Sequence, residues 1–310
     1  MQLLSVNFHY IRDSKPKQGI YPRSLKEFEN QISELSHYYE FISQDELKKI
    51  ISDKGNSSGK YCIITFDDNL KEQISVVDFL QKQSVPALFF STTYPYINND
   101  VHDVHKTHQI FIHNSDNEMA AYLDKKFGFH NVKFSKEQLD NSYSYDNKLK
   151  KKIKLFLNFI LKEDQRKEVL NELFLKSVDD LKDFISEFYF SKEDLKFLAS
   201  RGMLGTHSHS HLPLASLSAE DAMKEISISI KYLEKLTKTK IKAILYPYGR
   251  NGAVDATVSS ISKKLGLEIG FTMNRGINNI DNLIDPLMLM RVDTNDAPGG
   301  KSRSKKFYPR

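Results

Sequence analysis

The chain has 310 residues, 40% of them hydrophobic and 27% charged, a balance that excludes a disordered or fibrous protein. Lysine and arginine number 45 against 40 aspartate and glutamate, and a net charge of +5 is too small a surplus at this length to call for a nucleic-acid partner. No apolar run approaches the roughly 20 residues of a membrane span, and the N-terminus carries neither a basic nor a long apolar leader region. The expectation is therefore no transmembrane segment and a cytoplasmic address. Cys62, the only cysteine, excludes an internal disulfide.

In chain order, short apolar stretches at Leu3–Phe8, Tyr61–Phe66, Pro86–Ser91, Met203–Thr206, Lys242–Tyr246 and Glu268–Met273 predict buried strands. Amphipathic helices fill the gaps. Residues 24–37 carry Leu25, Phe28, Ile32 and Leu35 at helical spacing, and Ser43 with Glu46 predicts a capped helix start. Ser191 with Asp194, and Ser218 with Asp221, give the same signal later, while Gly202 and Gly266 stand where left-handed C-caps are wanted. This alternation predicts an α/β fold, a parallel sheet or barrel with helices outside.

Between residues 98 and 190 the alternation lapses, and two helices are expected, near 148–162 and 164–176. We read this segment as a helical insertion placed over the face where such barrels keep their active sites. The barrel itself takes 1–97 and 191–298, and 299–310 reads as a basic, mobile tail with Lys301, Arg303, Lys305, Lys306 and Arg310. A second basic run, Lys148, Lys150, Lys151, Lys152 and Lys154, alternates with Leu149, Ile153, Phe156, Leu157 and Ile160, which predicts a solvated face opposite an apolar one.

Three segments carry chemistry. Ile63-Ile64-Thr65-Phe66-Asp67-Asp68 is a strand running into two carboxylates, which serve either as helix N-caps or as a functional pair. Gly205-Thr206-His207-Ser208-His209-Ser210-His211 gathers three imidazoles. His207 and His211, four apart, can reach one ion from a helical turn or a tight loop, and His209 points elsewhere; polar packing is the alternative. One aspartate and two histidines make three ligands and leave positions for water, the pattern of an open catalytic metal site. Leu245-Tyr246-Pro247-Tyr248-Gly249 ends another strand, as plain turn chemistry or as a substrate-lining loop.

These segments, in this order, resemble the three main motifs of the polysaccharide deacetylase family, the NodB-homology domain of carbohydrate esterase family four. Thr65-Phe66-Asp67-Asp68 matches the first, His207 to His211 the second and Tyr246-Pro247-Tyr248-Gly249 the third. Ser5 to Tyr10 resembles the first strand of many bacterial members, which ends in a Tyr-His pair, and Ser24 to Lys48 is similar to their next helices. The resemblance covers about 1–95 and 200–295. It implies a distorted (β/α) barrel that removes an N-acyl group, acetyl or formyl, from an amino sugar in surface polysaccharide or lipopolysaccharide biosynthesis, with one divalent metal. The metal is expected to be zinc, with cobalt, nickel or manganese as alternatives. Asp68, His207 and His211 would bind it, Asp67 would be the general base, and the Tyr248 backbone N–H would hold the oxyanion beside Tyr246 and Pro247. The substrate is expected to be nucleotide- or lipid-linked, with the oligomeric state unassigned. A non-catalytic carbohydrate-binding relative and an amidase for a non-sugar amide are the alternatives.

Several positions depart from the family pattern. Asn69 replaces a glycine, and asparagine is the next-best residue for a left-handed turn. Leu245 stands where many members have the arginine that orients the base; Arg291 is the candidate replacement, or else a surface arginine. No histidine follows His211, so the family's C-terminal general acid is absent, and His9 is the substitute unless it merely caps the barrel. There is no tryptophan, and Asp293, Asn295 and Asp296 are candidates for the lost polar contacts. In the insertion, His102, His105 and His108 allow a second metal site, and His105 or Lys106 an anion contact.

Overall fold

The computed structural model describes residues 1–310 apart from 17–18, 54–57, 141–145, 251, 303–305 and 309–310. Eight strands run in chain order: β1 (Gln2–Phe8), β2 (Glu40–Phe41), β3 (Lys60–Phe66), β4 (Ala87–Ser91), β5 (Leu204–Thr206), β6 (Ala243–Leu245), β7 (Ile269–Arg275) and β8 (Leu289–Asp293). The parallel pairings β3–β4–β5–β6–β7–β8–β1 close on themselves through β1–β3, forming a seven-stranded barrel. β2 pairs only with Tyr61 and Cys62, the part of β3 that β4 leaves unpaired. The expected (β/α) barrel is the fold observed.

Alternation along the strands sorts side chains into two layers. Leu3, Ile63, Leu88, Phe90, Ala243, Leu245, Ile269, Phe271 and Leu289 form one buried cluster, the apolar filling of the barrel. Leu4, Val6, Phe8, Ile64, Phe66, Phe89 and Ile244 face the other way and pack with Phe28, Ile32 and Leu35 of the helix Leu25–Ser36. The start signals act as expected: Ser24, Ser43 and Ser191 close capping boxes with Glu27, Glu46 and Asp194, and Ser218 caps its helix.

The chain divides into two compact units. The first holds the barrel, Met1–Ser14, Pro22–Asp100 and Ile185–Arg310; the second is Lys15–Tyr21 with Val101–Phe184. The second unit contains more helix than its composition predicts. Besides Lys148–Leu155 and Glu163–Leu175 there are helices at Asp103–His113 and Asp116–Phe127, and a π turn continues Lys148–Leu155 through Phe156–Ile160. The solvated lysine face is corrected at two positions. Lys150 is buried, its Nζ 3.4 Å from Asp116 Oδ1 and 5.1 Å from the Phe111 ring centre, and Lys154 pairs with Asp146. An anionic partner and an aromatic ring make burial of a lysine tolerable, and neither is visible from the helix's own periodicity.

The tail is corrected in the same way. Arg303, Lys305 and Arg310 lie outside the described residues, but Phe307 is buried in the core, and its carbonyl accepts from Tyr39 Oη at 3.4 Å. One aromatic anchor outweighs the basic composition around it. Among the described residues, no helix is long and apolar enough to cross a membrane.

Candidate active site

The C-terminal ends of the strands deliver the functional side chains. β1 hands on to His9, β3 to Asp67 and Asp68, β5 to His207, and β6 to Tyr246, Pro247 and Tyr248; Arg291 lies within β8. Parallel strands end on one side, so loops distant in sequence converge there. The turns are tight. Asp68, Asn69, Ser208, His211 and Tyr248 have positive φ, five of the eight non-glycine residues of the described chain that do. Backbone in this rarely populated region costs free energy, and such positions gather at functional sites. Gly249 (φ +52) completes the third turn; a Cβ there would sit 2.6 Å from the Met273 amide nitrogen.

Asp68 Oδ1 lies 3.4 Å from His207 Nε2 and 3.3 Å from His211 Nε2. One potential ligand atom from each of the three residues falls within 4.8 Å of the others, and all three side chains are largely buried. His207 Nδ1 is 2.7 Å from the Leu245 carbonyl, which can only accept, so the ring proton sits on Nδ1 and Nε2 turns its lone pair towards Asp68. Burial holds the His207 pKa below its ordinary value, outweighing the neighbouring Asp68 carboxylate, which raises it. A carboxylate oxygen facing imidazole lone pairs is an arrangement that a divalent cation satisfies, and this donor set suits zinc.

His209 turns away, its Nδ1 2.9 Å from Thr93 Oγ1. Ser210 fastens the same loop, giving its N–H and its hydroxyl to Glu225 at 2.7 and 2.9 Å.

Asp67 is gripped from the other side. Arg291, fully buried, donates from Nη1 to Oδ1 at 2.6 Å and from Nη2 to Oδ2 at 2.9 Å. The guanidinium also donates to Thr65 Oγ1 and the Thr272 carbonyl, so its plane is fixed. Burial alone would raise the Asp67 pKa; the charges of Arg291 and His9 outweigh it and hold the carboxyl below its ordinary value. His9 is half-exposed, with Nε2 3.5 Å from Asp67 Oδ2 and 3.9 Å from Asp68 Oδ2.

Tyr248 is 52% exposed and sets its ring edge-on to His211 at 5.0 Å. Tyr246 is not a lining side chain: it is buried with its hydroxyl 3.2 Å from Ser262 Oγ, because alternation after the inward Leu245 sends it out towards the helix Ala256–Lys264. Asp293 accepts from the Asn295 amide nitrogen and Asp296 pairs with Arg275. His105 and Lys106 are buried within the second unit, where Lys106 Nζ meets Asn171 Oδ1 at 2.8 Å, so burial removes them as an exposed anion contact, and His102, His105 and His108 are not among the groups placed to hold a metal ion in the described residues. Among the described residues, Asp68, His207 and His211 form the one group placed to hold a metal ion.

Two residues at this site have side-chain roles that the sequence did not reveal. The Asn69 side chain brackets the turn, accepting from the Thr92 backbone N–H and hydroxyl and donating to Tyr96 Oη. Gln73, buried on the turn Lys71–Val76, donates to two backbone carbonyls of the site. A glutamine in an amphipathic stretch has no spacing that betrays such a role.

A family model described as polysaccharide deacetylase matches residues 54–270. The chain belongs to the polysaccharide deacetylase family. As a member it also has solved structural neighbours. It is similar to the Streptococcus pyogenes deacetylase PplD (TM-score 0.58, 17% identity, 94% of this chain and 92% of that one). It is similar as well to the BpsB deacetylase domain of Bordetella bronchiseptica (0.55, 15%, 94% and 95%) and to IcaB of Ammonifex degensii (0.52, 15%, 93% and 97%). At these identities the neighbours establish the barrel of this deacetylase-family chain. No curated protein sequence matches it.

Proposed function

We propose that the protein is a metal-dependent hydrolase that removes the acetyl group from an N-acetylated amino sugar of a surface saccharide. The reading rests on one observation above the rest: a buried Asp-His-His ligand set beside a second aspartate whose charge is held by Arg291, in a chain of this family. Asp68, His207 and His211 would hold the metal, zinc by its donor chemistry. When bound, the ion lowers the pKa of water and polarises the amide carbonyl.

The residues of the chain divide the remaining work. Asp67, ionised and oriented by Arg291, accepts a proton from the attacking water as its oxygen bonds to the carbonyl carbon. The Tyr248 backbone N–H donates to the oxyanion as charge develops on it. His9, on the other side of Asp67, gives a proton to the departing nitrogen as the C–N bond breaks, leaving acetate and a free amine.

The test is acetate release from an N-acetylglucosamine oligomer and from nucleotide- and lipid-linked N-acetyl amino sugars. The purified protein should release acetate from one of them, lose this activity on chelation and regain it with zinc. Metal binding without amine release from any of them would instead support a non-catalytic carbohydrate-binding relative.

A further inference from the structure

We infer that Gln73 is a positioning residue that holds His9 at its working distance from Asp67; this rests on the hydrolase reading above. The Gln73 side chain is completely buried, and its Nε2 donates to the His9 carbonyl at 3.0 Å and to the Asp67 carbonyl at 2.7 Å. Both partners can only accept, so the amide orientation is set by chemistry: turned over, it would face two carbonyl oxygens with a third. Its Oε1 has no hydrogen-bond partner. Burying an acceptor unpaired costs free energy, which the two donated bonds offset. One amide thus ties together the backbones of the residue read as acid and the residue read as base.

The two are not equally dependent on this tie. Asp67 is also held through its carboxylate by the Arg291 fork. His9 is held more loosely. Its side chain is 40% exposed, and its Nδ1 contact to Asn7 Nδ2 is long, at 3.4 Å. Losing the Gln73 amide should therefore free the acid while leaving the base in place.

That asymmetry has a chemical signature. An amide must have its nitrogen protonated as it leaves, whereas the phenolate of an aryl ester leaves without help. A fault confined to His9 slows amide hydrolysis and spares the ester, while general loosening of the site slows both.

The experiment compares zinc-loaded full-length protein on an N-acetylglucosamine oligomer and on p-nitrophenyl acetate. Gln73→Met should lower amide turnover about 10- to 100-fold, as a displacement of about 1 Å would, and should lower the ratio of amide to ester turnover about tenfold or more. Zinc content should stay at the wild-type level. Placed in a His9→Ala background, Gln73→Met should lower amide turnover by less than about twofold further, because the two changes act through one group. Should Gln73→Met not fold, Gln73→Asn keeps the donors on a stem too short to reach both carbonyls, and should shift the ratio in the same direction. Equal loss of amide and ester turnover, or multiplicative losses in the double variant, would overturn the role of Gln73 while leaving the hydrolase reading intact. A wild type that releases no acetate from any N-acetylated sugar would take both down.

Discussion

Arg291 in β8 and Asp67 just beyond the end of β3, 224 positions apart in sequence, face each other through two hydrogen bonds of 2.6 and 2.9 Å between buried groups. The fork does two things at once. It compensates a carboxylate that burial would otherwise neutralise, and it aims that carboxylate towards His9 and the ligand set.

Removing one partner strands the other. Arg291→Met should cost about 3–5 kcal/mol of stability, read from the urea midpoint at unchanged m value, because a buried charge is left alone. Arg291→Lys keeps a charge but loses the planar fork, and should cost about 1–3 kcal/mol, with turnover falling in both variants. Wild-type stability for Arg291→Met would show that the pair contributes nothing to the fold.

Asn69 tests the turn that presents the two aspartates. Its φ is +45, it is fully buried, and its side chain makes three hydrogen bonds. Asn69→Ala keeps the left-handed strain and loses those bonds, for a loss of about 2–4 kcal/mol. Asn69→Gly loses the same bonds but relieves about 1 kcal/mol of strain. Chemical denaturation should rank wild type above glycine and glycine above alanine. An alanine variant as stable as the glycine variant would contradict the strain.

Much of the barrel was legible because its strands are short apolar runs ending in reactive residues. The two acidic residues and the spaced histidines each lie within a few positions and could be read locally. β2 could not, since a two-residue strand leaves no pattern. Tyr246 was misread because adjacency to Pro247 suggested a shared loop, whereas alternation sends its side chain outward. Lys150 was misread because its partners, Asp116 and Phe111, belong to other helices. The tie from Gln73 to His9 spans 64 positions and uses backbone acceptors, which every residue has, so no residue type signals it.

Asp194 links the stability of this face to pH. It closes the capping box with Ser191 and pairs with Lys71, three residues beyond Asp68. Burial, the largest single influence, would raise its pKa, but Lys71 and Ser191 together hold it below the ordinary value. Stability from this carboxylate is therefore present above the unfolded pKa of about 3.9 and is lost as pH falls through the lower folded value. Asp194→Asn should cost about 0.5–1 kcal/mol at pH 7, allowing for the partial exposure of the pair. In paired urea titrations that difference should shrink as pH falls below the unfolded value and close once the folded-state carboxyl is protonated as well. A constant difference across the range would mean that ionisation of Asp194 does not matter.

The most direct test is anomalous diffraction at the zinc edge from crystals of the zinc-loaded protein. One strong peak is expected about 2.0–2.2 Å from Asp68 Oδ1, His207 Nε2 and His211 Nε2, with Asp67 outside the coordination sphere and still bonded to Arg291. A peak ligated by Asp67, a peak elsewhere, or no peak from stoichiometrically loaded protein would contradict this expectation.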